Sequence, residues 1–332
     1  MTATVQTVPQ GRAQLVALRD AWGEHLVKLA DRYPELVVLD GDLANSTKAD
    51  IFANARPDRF FEMGIAEQNM IGVAAGMATV GFVPWISTFT AFIAKRALDQ
   101  IRVVVAQPHL NVKLCGGYSG ILTGKTGKTH QSVEDLAIFR AMPGVTTIVP
   151  ADAVELRSAM DAMMETAGPM YLRLTRDPSP CIFPSDYRFA IGRAVQVRSG
   201  ADVAIISTGV QTIRALEAAD VLAQEGISAS ILHVPTLKPL DEDAIINVAE
   251  KTRAVVTAED HSIIGGLGGA VAEVLSEHLP TRLKRVGWQD VYGESGPNDA
   301  LLEKYRLTGR HVADAARSLI LGMSLANRGV NG

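Results

Sequence analysis

Cysteine is almost missing from the 332 residues: only Cys115 and Cys181 occur, far apart and in no CxxC or Cys/His cluster. That spacing supports neither a disulfide framework nor a zinc site, and it fits a reduced compartment. Also lacking is any run of about 20 apolar residues able to span a bilayer, and the N-terminal MTATVQTVPQGRAQ has no apolar core of the kind a signal peptide needs. A cytoplasmic location without membrane partners is expected. No sign of charge dominates: 32 Lys and Arg stand against 36 Asp and Glu, mixed along the chain, for a formal net charge of −4. Nucleic acid is therefore not an expected partner. Several enzyme signatures are absent as well. No GxSxG elbow marks a nucleophilic hydrolase, and no HExxH or EF-hand loop marks a metal site. The Gly-rich run HSIIGGLGGA (261–270) fails the dinucleotide pattern, because Val271 stands where the third glycine of GxGxxG belongs and no phosphate-loop lysine follows. A tight turn with close helix packing is the better reading.

The chain does hold ample apolar material. At 47% hydrophobic and 20% charged residues, it has the make-up of two globular domains with real cores. Apolar β-branched runs alternate with helical periodicity, the pattern of doubly wound α/β domains in which helices cover a parallel sheet. Strands are predicted at LVVLDGD, FVPWIST, LNVKLCG, TTIVP and MYLRLTR, and helices at 66–79, 89–106, 131–142 and 153–167. The segment 177–200, with three prolines and little periodicity, reads as an interdomain linker. Four more strands follow, at DVAIISTG, ISASILHV, RAVVTAED and RLKRVGW, then a helical C-terminus. The predicted division is a first domain over 1–190 and a smaller second one over 191–332.

Within FFEMGIAEQNM (60–70), a helix starting near Ala66 puts Met70, Ile71 and Ala74 on one apolar face and turns Glu67 inward. A buried carboxylate is costly unless it is hydrogen-bonded or protonated. Its plain explanation is that first-turn acids are favoured by the helix dipole. His130 lies in GGYSGILTGKTGKTHQSVEDL, a glycine-rich loop running into a helix, where α/β sheets meet their ligands. Thr129 as a helix cap with an incidental His130 is the competing reading, and Lys125 and Lys128 read as solvated loop lysines. Phe89 and Phe92, three apart on one predicted helix face, read more simply as core than as a platform for a ring.

Taken in order, FFEMGIAEQNMIGVAAGMA, WISTFTAF, GKTHQSVEDLA, PADAVELRSAM, YLRLTR and EDHSIIGGLGGAVAEVL resemble the C-terminal half of a transketolase, in the split form whose diphosphate-binding domain is a separate polypeptide. The resemblance implies a pyrimidine-binding domain and a transketolase C-terminal domain, with thiamine diphosphate as cofactor. It makes Glu67 the glutamate that hydrogen-bonds the aminopyrimidine ring, and Phe89 and Phe92 the aromatics around that ring. It puts His130 beside the reacting carbons, Asp42 on the cofactor side, and Ser46 and Arg176 at a substrate phosphate. Tyr118, Lys125, Thr126 and Lys128 fall on substrate-contacting positions. Thr126 stands where transketolases usually carry an aspartate that contacts a donor hydroxyl, and Tyr118 where split relatives often have histidine. These departures imply a branched or sulfonated ketose donor. The GDG motif that holds Mg²⁺ and diphosphate is missing, because the only GD, at Gly41 and Asp42, continues with Leu43. Mg²⁺ is thus expected on a diphosphate-binding transketolase partner, in an A2B2 heterotetramer that transfers a two-carbon ketol unit between sugar phosphates. The alternatives are a β chain of a 2-oxo acid dehydrogenase and a catalytically silent binding chain of the same fold.

Overall fold

The computed structural model describes residues 2–8 and 13–328. Leu36–Asp40 is buried at every position, as expected of a strand covered on both faces, and its LVVLD sequence has no polar alternation for that reason. It sits in a seven-stranded sheet ordered Thr236–Lys238, Thr146–Ile148, Met170–Arg173, Lys113–Gly117, Val83–Phe89, Leu36–Asp40, Phe60–Glu62. All neighbours run parallel except the first pair. Helices Leu18–Arg32 and Ala153–Glu165 pack together on one face, and Glu67–Thr79 packs against Val83–Phe89. Sulfur satisfies two buried indoles: Trp22 Nε1 donates to Cys115 Sγ and Trp85 Nε1 to Met164 Sδ, each at 3.2 Å. Both cysteines are free and buried.

A six-stranded sheet follows, ordered Ala3–Thr4, Val195–Arg198, Ala229–His233, Val203–Ser207, Ala254–Ser262, Arg282–Trp288. Only the Val195–Arg198/Ala229–His233 pair is antiparallel. Each sheet takes one strand from the other's stretch of chain. Ala3 and Thr4 pair with Val195 and Gln196 in the second sheet, while Thr236–Lys238 pairs with Thr146–Ile148 in the first. A two-stranded ribbon, Leu15–Val16 with Ser179–Pro180, lies apart. Among the described residues no helix is long and apolar enough to cross a membrane.

Three expectations need correction. The segment read as one helix over 89–106 is broken: Phe89 ends a strand, Thr90–Ile93 and Leu98–Gln100 are short helical pieces, and Ile101–Ala106 is wound as π-helix. β-Branched crowding in IRVVVA disfavours a regular α-helix there. The helix expected over 131–142 spans only Asp135–Ala141, because the backbone before it is paired elsewhere. Gly120 N–H donates to Ser132 C=O at 2.9 Å, and Ser262 N–H to Val133 C=O at 2.7 Å. Thr129 therefore caps no helix. The expected linker 177–200 contains the strands Ser179–Pro180 and Val195–Arg198.

The Gly-rich turn behaves as its sequence indicates. Helix Leu267–His278 begins on the carboxylate of buried Glu259, whose oxygens accept from Leu267 N–H at 2.7 Å and Gly268 N–H at 2.8 Å. A Cβ at Gly266 would lie 2.0 Å from Glu259 Oε2, so glycine is required for close approach and an internal acid occupies the helix start.

Candidate active site

Four adjacent parallel strands deliver the site. Phe89 closes Val83–Phe89, Tyr118 follows Lys113–Gly117, Arg176 lies just past Met170–Arg173, and the turn after Leu36–Asp40 leads to Ser46. Their carboxyl ends form one rim, as α/β sheets present ligands. Tyr118 sits at the centre with a positive φ of 58°, a conformation that costs an L-residue free energy and turns its ring onto Phe89 at 4.0 Å between centroids. Arg19 Nη1 donates to Tyr118 Oη at 3.0 Å and to Ser46 C=O at 2.8 Å. The Arg176 guanidinium lies 5.4 Å from the Tyr118 ring centre and pairs with Asp177.

A cavity of about 920 Å³ opens on this rim. Of the residues expected at the site, Ser46, Phe89, Tyr118, Lys125, Thr126, His130 and Arg176 line it. His130 presents its ring edge-on to Phe89 and Phe92, at 5.9 and 5.4 Å, and its Nδ1 shares a 2.8 Å hydrogen bond with Thr129 Oγ1. Thr126 closes a short turn: its hydroxyl donates to Thr123 C=O at 2.6 Å. Phe89 and Phe92 stack at 5.6 Å, but from a strand end and a four-residue helix, not from one helix face.

Glu67 opens helix Glu67–Thr79 and is 3% exposed. It is not unpaired: Arg96 Nη1 donates to its Oε1 at 2.8 Å, and the Arg96 guanidinium lies 4.0 Å from the Phe92 ring centre. Neither Glu67 nor Phe92 lines the cavity: Phe92 reaches it through its contact with His130, and Glu67 is linked to Phe92 through Arg96. Two other residues lie away from it. Asp42 is exposed, in a turn of positive φ whose N–H donates to Glu62 Oε1 at 2.9 Å. Lys128 faces a separate cleft of about 270 Å³ with Lys95 and Tyr292. Among the described residues no group of three or more His, Cys, Asp or Glu side chains converges to hold a metal ion.

Sequence reading missed several neighbours. Arg214, Glu217, Asn298 and Asp299 reach the cavity from the second half of the chain. Arg214 is half-buried, makes no ion pair among the described residues, and has its pKa lowered by burial, with Asp260, Glu217 and Asp299 opposing that shift. Behind the loop that carries Tyr118 and His130, the buried Asp260 carboxylate accepts from Ile121 N–H at 3.0 Å. Burial pushes that carboxyl up to about 6. Arg173, itself buried, ties the same layer together through Asp135 at 2.8 Å and the Asp260 carbonyl at 2.8 Å.

Two parallel-sheet domains with an aromatic-walled, cation-bearing cavity at their strand ends place the chain among the α/β proteins that bind a cofactor or substrate at the carboxyl rim. Residues 14–180 match the transketolase pyrimidine-binding domain and residues 192–312 the transketolase C-terminal domain, so the chain belongs to the transketolase family. Two relatives of matching length are transketolase subunits. It is 43% identical over 302 residues to the 6-deoxy-6-sulfo-D-fructose transketolase subunit SqwH of Clostridium sp., covering 91% of this chain and 94% of that one. The B chain of the apulose-4-phosphate transketolase of Phocaeicola vulgatus is 32% identical over 92% of this chain and 98% of its own. A solved split gene transketolase, described as an inactive beta4 tetramer, superposes with a TM-score of 0.87 at 48% identity, covering 92% of this chain and 99% of that one. Against human transketolase the identity is 37% over 92% of this chain but only 49% of the longer protein. The family uses thiamine diphosphate and a divalent metal.

Proposed function

We propose that the chain is the pyrimidine-binding and C-terminal half of a two-chain transketolase, divided near residues 190 and 191, that takes a branched or sulfonated ketose as donor. The observation that carries this reading is the shared cavity: Ser46, Phe89, Tyr118, Lys125, Thr126, His130 and Arg176 line one space, with Arg19 behind it and Arg214 across it. A guanidinium-rich, partly apolar cavity suits a sugar bearing a phosphate or sulfonate.

The residues present fit the ring half of thiamine diphosphate. Glu67 is a buried acid at a helix start, joined through Arg96 to Phe92, and the stacked Phe89/Phe92 pair offers an apolar wall. In this reading Glu67 would hydrogen-bond the aminopyrimidine ring and hold or release a proton at its carboxyl group, with Arg96 orienting that group. When bound, the cofactor would supply a nucleophilic carbon for ketol transfer. His130 donates a hydrogen bond to the ketose oxygens at the C2–C3 bond. Arg176 and Ser46 hold the distal anion, and Tyr118 shields the sugar from water. Asp42 lies on the cofactor side in this reading. In this reading Lys128 contacts substrate only in the assembled enzyme, where a partner can reshape its cleft. The absence of GDG in the sequence supports assigning diphosphate and Mg²⁺ to a second, diphosphate-binding polypeptide within an A2B2 assembly. The inactivity stated for the related beta4 tetramer supports the same division.

Thr126 supports the choice of donor. A neutral hydroxyl already committed to Thr123 leaves space, and no carboxylate, for the donor hydroxyls. The test is ketol transfer by the chain with and without a diphosphate-binding partner, comparing kcat/KM for a 6-sulfonated hexulose, a branched ketose phosphate and xylulose 5-phosphate. Full turnover without the partner would end the split-enzyme reading. A preference for xylulose 5-phosphate, unchanged in Thr126→Asp, would end the donor reading.

A further inference from the structure

The turn carrying Lys125 and Thr126 and the arginine expected to hold the substrate anion are joined through one side chain of the second domain. Asn298 Oδ1 accepts from Gly124 N–H at 2.9 Å, while its Nδ2 donates to Asp177 Oδ2. The other oxygen of Asp177 accepts from Arg176 Nη1. Gly124 is held on its second side as well, since Gly296 N–H donates to Gly124 C=O at 3.0 Å. A Cβ at Gly124 would lie 2.5 Å from Gly296 O and 2.7 Å from Asn298 Oδ1, so the turn has no slack against this loop.

We infer that Asn298 is a positioning residue for anion recognition: it fixes the spacing between the Lys125–Thr126 turn and the Arg176 guanidinium, and so sets which ketose anion the cavity accepts. The chemistry is particular to an amide. Only a side chain that accepts on one atom and donates on the other can satisfy a backbone N–H and a carboxylate together. Aspartate accepts from Gly124 but sets a second negative charge against Asp177, and alanine does neither. Asp177 in turn matters because it competes with substrate for Arg176. Held by Asn298, it keeps that guanidinium beside the Tyr118 ring and turned to the cavity. Released, Asp177 is free to swing and to draw the paired Arg176 away from the substrate. Asn298 itself transfers no proton and touches no reacting atom.

This inference rests on the reading of the cavity as a ketose site. The experiment uses the enzyme assembled with its diphosphate-binding partner, assayed with a 6-sulfonated hexulose, with xylulose 5-phosphate and with the neutral ketose erythrulose. Asn298→Ala is expected to raise KM for the better anionic donor about 10-fold while kcat falls less than about 3-fold, and to affect erythrulose about 5-fold less than the anionic donor. Asn298→Asp is expected to be worse than Asn298→Ala, because it adds repulsion to the lost bond. A side chain that only filled space would give the reverse order, since Asp is nearly isosteric with Asn. Unchanged KM in Asn298→Ala, equal losses on anionic and neutral ketoses, or an Asp variant better than Ala would each overturn the inference. Wild-type enzyme that turns over no anionic ketose would instead refute the proposed function.

Discussion

Glu67 and Arg96 form a pair of unequal members: the acid is buried, whereas the Arg96 side chain is 48% exposed. Such a pair gives the buried acid a hydrogen-bond partner and leaves the exposed cation free to move. Glu67→Gln is expected to preserve the fold and cut turnover of the assembled enzyme at least about 100-fold, because an amide cannot exchange the proton. The check is C2-proton exchange of bound cofactor; wild-type exchange in the variant would reduce Glu67 to a first-turn acid. The inward turn of Glu67 was legible because three apolar neighbours fixed the helix face. Arg19, Arg214 and Asn298 were not, because each reaches the cavity from a distant element and, along the sequence, a cavity cation or amide looks like any solvated one. The Phe89/Phe92 contact survived a wrong secondary-structure reading, since a strand end followed by a short helix also brings the two rings together.

The loop from Tyr118 to His130 depends on its glycines, and most sharply on Gly120. Gly120 has φ +66°, and a Cβ there would stand 1.9 Å from Asp260 Oδ2. Gly120→Ala should destabilise the chain by about 2–4 kcal/mol, read as a shift in denaturant midpoint, and weaken the loop's hold on substrate. The strand Ala254–Ser262 also carries Glu259, whose burial raises its carboxyl from 4.5 to about 7. An acid with a raised folded-state pKa keeps its proton when the unfolded chain has lost it, so its contribution to stability falls as pH rises through that interval and is constant above it. Relative to Glu259→Gln, the wild type should lose roughly 2 kcal/mol of unfolding free energy between pH 5 and pH 8, measured by urea titration at both pH values. A difference that is flat with pH would show that Leu267 and Gly268 hold the ionised form. Strands were the most legible elements because both-face burial writes them as unbroken apolar runs. The helix boundaries at 89–106 and 131–142 were not, because cross-loop hydrogen bonds and β-branched crowding overrode the periodicity.

On the scale of the whole molecule, helix Glu67–Thr79 keeps a face open to solvent: Asn69, Gly72 and Gly76 are exposed, and a Cβ at either glycine would meet nothing within 4 Å. With Ile65 at 71% and Val80 at 73% exposure beside it, this face suits a second copy of the chain. Native mass measurement of the mixed polypeptides is expected to give two copies of each, and a one-to-one complex as the only active species would remove that expectation. The exchanged strands carry a consequence for how such a chain can be inherited. A recombination crossover near residue 190 would pass on the first sheet without Thr236–Lys238 and the second without Ala3–Thr4, so each descendant would need a foreign strand of matching register at its sheet edge. The two domains are thereby bound to travel as one heritable block.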